Sequence, residues 1–91
     1  MPFEYDFSDE LKETMKKLAK KDKRRCEITL KKIGEITSRD NETIDFYKNL
    51  RNDLKEYKRV HIDHSFVLTF HVFKKENFIL VQRLEHHDYM Y

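Results

Sequence analysis

The chain has 91 residues, 40% charged and 38% apolar, with 19 Lys or Arg against 17 Asp or Glu for a net charge of +2. That length bounds it to one compact domain over residues 1–91, and near-balanced charge with periodic apolar runs excludes a disordered chain. Single Gly, Pro and Cys residues exclude collagen-like repeats, a glycine-rich phosphate loop, an internal disulfide and a thiolate metal cluster.

In chain order, Phe3, Tyr5 and Phe7 alternate with Glu4 and Asp6, which predicts a short amphipathic strand. This N-terminus is acidic where a signal peptide is basic, and no apolar run reaches the length of a membrane span; a cytoplasmic protein without membrane contact is expected. Ser8 is a candidate N-cap, with Asp9 and Glu10 in the first helical turn. Leu11, Met15, Leu18 and Ala19 fall on one face of a helix, and Cys26, Thr29, Leu30, Ile33 and Thr37 on one face of a second, capped by Asp22. Together they predict a helical hairpin. Ile44, Tyr47, Leu50, Leu54 and Tyr57 then recur at spacings of three and four, as a short helix or an irregular apolar connector.

From Tyr57 the period becomes two. Residues 57–63 and 66–73 read as strands around an Asp63-His64-Ser65 turn, and 78–84 as a third strand after the polar loop Lys74-Lys75-Glu76-Asn77. The expected fold is α+β, in the order β-α-α-β-β-β, with an antiparallel curved sheet against the N-terminal helical hairpin. Phe66, Leu68, Phe70, Phe78, Leu80 and Leu84 are expected to face the helices.

All five histidines lie in the last third of the chain: His61, His64, His71, His86 and His87. Parity puts Arg59 and His61 on the sheet face away from the helices; Arg83 shares the parity of Ile79 and Val81, and continued extension adds His87. Histidine titrates near neutrality, so a His pair flanked by cations suits acid/base chemistry on a phosphodiester. The alternative for each His is a surface or hydrogen-bonded structural role. His61-x-x-His64 and His86-His87-Asp88 have metal-ligand residue types, but a strand splits i and i+3 between faces; the expectation is no metal and no cofactor. The run Lys16-Lys17, Lys20-Lys21, Lys23-Arg24-Arg25 fits either a phosphate track or a solvated helix face.

Over residues 58–70 (Lys58-Arg59-Val60-His61-Ile62-Asp63-His64-Ser65-Phe66-Val67-Leu68-Thr69-Phe70) the chain resembles the RelE/ParE superfamily of type II toxins. The closing Arg83-Leu84-Glu85-His86-His87-Asp88-Tyr89-Met90-Tyr91 is similar to that family's ending, a His or Arg ahead of a terminal aromatic. The resemblance implies a ribosome-dependent mRNA endonuclease that works without metal. Implied partners are the ribosome, mRNA and a cognate antitoxin, the last in a possible heterotetramer. The YafQ-like branch looks nearest, and its active-site histidines and aromatic fall on His61, His87 and Tyr91. Its aspartate position holds Ser65, with Asp63 and His64 as the nearby substitutes, and its upstream loop His falls on Lys48. The central-strand arginine of the RelE branch falls near Val67. This resemblance and the charge pattern give Arg83 the transition-state role and Lys58, Arg59 and Lys48 the RNA contacts. The alternatives are a ParE-like inhibitor of DNA gyrase and a catalytically inactive relative that binds RNA or antitoxin.

Overall fold

Ser8 joins the first strand to the first helix. In the computed structural model, which describes residues 2–49 and 57–86, β1 (Glu4–Phe7) ends there and the Ser8 hydroxyl accepts from the Leu11 amide at 3.0 Å. That bond satisfies one of the bare N–H groups opening α1 (Asp9–Lys21), whose acidic first turn and basic last turn both oppose the helix dipole. Asp22 closes α1 through its amide, which donates to Leu18 at 2.8 Å. It also opens α2 (Lys23–Thr37) through its carboxylate, which accepts from the Arg25 amide at 3.1 Å. The helical hairpin therefore turns on a single residue, the one its sequence suggested.

Leu11 and Met15 of α1, and Cys26, Thr29, Ile33, Ile36 and Thr37 of α2, are buried. Two expectations shift at the edges of these stripes. Leu30 is 47% exposed and Ile36 takes its place, because Leu30 lies on the flank of the stripe centred on Thr29, Ile33 and Ile36. Ala19 is exposed. After α2 a single 3-10 turn (Ile44–Phe46) sinks Ile44 into the core and leads to the two-residue strand β2 (Lys48–Asn49). Of the expected connector, Leu50 and Leu54 lie outside the described residues, as do His87, Tyr89 and Tyr91 of the tail.

The remaining strands, β3 (Tyr57–His61), β4 (Phe66–Phe73) and β5 (Phe78–His86), form the expected antiparallel meander. Two strands extend it into a five-stranded sheet of order β1-β5-β4-β3-β2: β2 adds antiparallel to β3, and β1 joins β5 in parallel. Asn77 secures that last junction. At φ 52° it holds the left-handed conformation closing the β4–β5 turn, its carbonyl accepts from the Glu4 amide at 3.0 Å, and its Nδ2 donates to the Pro2 carbonyl at 2.8 Å.

One irregularity decides which side chains face the helices. Thr69 pairs with Arg83 but Phe70 pairs with Val81, so Gln82 is an extra residue, a β-bulge. Ile79 and Val81 point into the core before it and Leu84 after it, alongside Leu68, Phe70 and Val72 of β4. Phe78 and Leu80, expected inside, therefore lie on the opposite face: a single period of two fits only one side of a bulge. The bulge is held from outside the sheet, since Ser8 donates its amide to the Val81 carbonyl at 2.9 Å and its hydroxyl to the Gln82 carbonyl at 2.6 Å.

Candidate functional site

The sheet face turned away from the helices carries the chemistry. Directly paired residues share a face, so the registers Lys48↔Arg59, Arg59↔Thr69 and Thr69↔Arg83 place Lys48, Arg59, Thr69 and Arg83 in one row across four strands. The adjoining row runs His61, Val67, Glu85. Arg59, His61, Arg83 and Glu85 thus mark the corners of a rectangle of roughly 10 by 7 Å, two strand spacings wide and two residues long. Thr69 and the fully buried Val67 form its floor. Arg83 reaches this face because the bulge at Gln82 reverses the parity it shares in sequence with Ile79 and Val81.

Arg83 binds Glu10 from the first turn of α1 and Glu85 two residues along its own strand, both at 3.1 Å. Arg83 and Glu10 are more than half exposed, so water and salt screen their attraction and a phosphate can compete for the guanidinium. Glu85 is more enclosed, its side chain 26% exposed.

The turn between β3 and β4 is built differently. Asp63 Oδ1 accepts from the Ser65 amide at 2.7 Å and the Phe66 amide at 3.1 Å, and its Oδ2 accepts from Arg25 Nε at 3.0 Å. The Ser65 amide, and after it Arg25, hold the Asp63 carboxyl below its usual range. Arg25 also binds the Asp22 carboxylate at 2.8 Å and lies over the Phe66 ring, 4.4 Å from its centroid, and that ring meets His86 edge-on at 5.4 Å. Asp63 is accordingly held as a turn-forming, ion-paired carboxylate. His64 is exposed at the tip of this turn. Phe66 and its partner His86 have the parity of Leu68 and Leu84, which puts His86 across the sheet from His61.

Lys58 corrects a second expectation. It is 3% exposed and pairs with Phe70 on the core side. Its ammonium donates to the Tyr47 carbonyl at 3.1 Å and Asn49 Oδ1 at 2.9 Å and ion-pairs with Asp45 at 3.1 Å. That bonding anchors the segment between α2 and β3, and takes Lys58 away from any RNA contact. Lys74, and after it Lys58, hold the Asp45 carboxyl low. Lys16, Lys17, Lys20, Lys21, Lys23 and Arg24 are exposed around the tip of the helical hairpin, and no ion pair among the described residues engages them.

Of the residues singled out from sequence, the structure gathers Lys48, Arg59, His61 and Arg83 on one face and sets Asp63, His64 and Lys58 apart from them. His87 and Tyr91 lie outside the described residues. Among those residues no group of three or more His, Cys, Asp or Glu is placed to hold a metal ion. None of their helices is long and apolar enough to cross a membrane. Sequence reasoning missed Thr69 and Glu85. Both sit in β-strands whose registers, including the bulge, must be known before they join Arg59 and His61.

No family model matches the chain, and no solved structure matches it significantly. Two archaeal proteins do. One, named "Putative toxin RelE4", from Methanocaldococcus jannaschii, is 39% identical over 89 residues, 98% of this chain and 90% of its own length. The other, an uncharacterized protein of Methanosarcina mazei, is 39% identical over 82 residues, 90% of this chain and 91% of its own length. Identity of this extent, with the α+β order of elements and the basic face of the meander, establishes that the chain belongs to the RelE family of toxins.

Proposed function

We propose that the protein is the toxin of a toxin–antitoxin pair and cleaves mRNA on the ribosome, in the cytoplasm. The observation that carries this reading is the cross-strand row of Lys48, Arg59, Thr69 and Arg83, with His61 in the next row. A row of cations perpendicular to the strands suits a polyanion laid across the sheet, and two guanidiniums flanking one position suit the charge that builds on phosphoryl oxygens during transfer. The unengaged cations at the tip of the helical hairpin give a second surface for phosphates, consistent with a large structured RNA target.

The 2′-oxygen of the nucleotide attacks the adjacent phosphorus while its proton passes to a base. The bond from phosphorus to the 5′-oxygen breaks as an acid protonates that oxygen. Products are a 2′,3′-cyclic phosphate and a 5′-hydroxyl. His61 moves one of the two protons; Arg59 and Arg83 hold the phosphate. A cognate antitoxin, by occupying the same face, would silence the enzyme.

The test is to incubate the purified protein with programmed ribosomes in EDTA and map the new RNA ends. Cuts bearing 5′-hydroxyl groups are expected within ribosome-bound mRNA. Intact mRNA, with ribosome binding verified, would refute the assignment. Inhibition of gyrase supercoiling instead would place the protein with the ParE-like inhibitors.

A further inference from the structure

Building on this endonuclease reading, we infer that Glu85 is the second proton-transfer group, the base opposite His61. His61 and Glu85 both pair with Val67, from opposite sides, so they flank one point on the outer face at Cα positions roughly 10 Å apart. The next row places Arg59 beside His61 and Arg83 beside Glu85, so a phosphate held by the two guanidiniums lies against both proton-transfer groups. In-line displacement needs this arrangement, because the attacking and leaving oxygens lie on opposite sides of phosphorus and each needs its own partner.

The carboxylate is also held in place. Glu85 Oε1 accepts from Arg83 Nη1 at 3.1 Å, which fixes its direction along the strand and leaves the second carboxylate oxygen for the substrate. Among the described residues no other carboxylate comes as close to His61 on this face by register: Asp63 is turned to Arg25, and Glu4 and Asp6 belong to β1, at the far edge of the sheet. In the step itself Glu85 takes the proton of the 2′-hydroxyl as the 2′-oxygen bonds to phosphorus. The imidazolium of His61 gives its proton to the 5′-oxygen as that bond breaks. Charge and protons balance: the two groups exchange their protonation states in the cleavage step, and proton exchange with water restores them before the next turnover.

Single-turnover cleavage on programmed ribosomes tests the assignment, comparing the wild type with Glu85→Gln, Glu85→Asp and His61→Ala. Glu85→Gln keeps an oxygen to accept from Arg83 but cannot take a proton, so its rate should fall about 10²- to 10³-fold with little change in KM. Its rate should also lose the acidic limb of the pH profile, and Glu85→Asp should recover part of the rate. An mRNA with sulfur replacing the 5′-oxygen at the cleaved position separates the roles, because a thiolate leaves without protonation. It should rescue His61→Ala and not Glu85→Gln. Wild-type rates in Glu85→Gln would overturn the inference and leave the endonuclease standing; rescue of Glu85→Gln by sulfur would reverse the two roles and equally overturn it. Failure of the wild type to cleave would remove the endonuclease reading and this inference with it.

Discussion

Lys58 and Arg59 are neighbours in β3, yet the pleat sends them to opposite sides of the sheet and to opposite kinds of work. Lys58 goes inward, where a buried ammonium must have every proton bonded, and the Tyr47 carbonyl and the side-chain oxygens of Asn49 and Asp45 supply the acceptors. Arg59 goes outward into the row with Lys48, Thr69 and Arg83. One face thus uses a buried cation to hold a loop to the core, and the other sets Lys48, Arg59 and Arg83 in one row across four strands. The lesson is that charge in a short basic strand is not one property; each position carries the electrostatics of its own face.

The contrast breaks most visibly through substitution on the two faces. Arg59→Gln or Arg83→Gln should lower mRNA cleavage by about 10²-fold or more, with thermal unfolding little changed, since it removes a guanidinium from the transition state. Lys58→Met should do the reverse. Its methylene volume is kept, but Asp45, Asn49 and the Tyr47 carbonyl lose their donor, at a cost of about 2–3 kcal/mol by denaturant unfolding. Cleavage per folded molecule should hold. Stability loss in Arg59→Gln as large as in Lys58→Met would dissolve the distinction between the faces.

A smaller effect sharpens it at the end of the sheet. Asp63 has its carboxyl lowered by the Ser65 amide first and by Arg25 next, so the charged form is bound more tightly in the folded chain than in the unfolded one. Its contribution is complete above the ordinary carboxylate range and is lost as pH falls through the lower folded value. Asp63→Asn should therefore cost about 1–2 kcal/mol at neutral pH, and the gap from wild type should narrow steadily in acid. A constant gap across pH would mean that the turn depends on side-chain shape and not on charge.

Much of this was legible before any coordinates. Ser8 and Asp22 announced both helix starts by type and position, and the change of period at Tyr57 marked the meander. The limits are equally specific. Gln82 carries no local signal of a bulge: it lies inside an apolar strand, and the bonds that hold it come from Ser8, more than seventy residues away. Without it, Phe78 and Leu80 go to the wrong side, and Glu85 cannot be seen to share a row with His61. Lys58 misleads for a related reason, because its acceptors lie in the stretch from Asp45 to Asn49, whose course no periodicity describes. Long-range pairing decided these residues, while local chemistry decided the caps.

The smallest predicted effect tests the face on which nothing is asked of the helical hairpin. Gly34 is exposed in the last turn of α2, and a Cβ there would meet no atom within 4 Å. Glycine in a helix interior leaves the unfolded chain more freedom to lose than alanine does, with no compensating contact here. Gly34→Ala should raise stability by about 0.5–1 kcal/mol and leave cleavage unchanged, because Gly34 lies near the far end of α2 from the basic tip. A fall in ribosome binding in this variant would show that the surface around Gly34 is occupied in the working complex. In that case the unengaged cations at Lys16–Arg24 would be only one end of a longer contact along the helices.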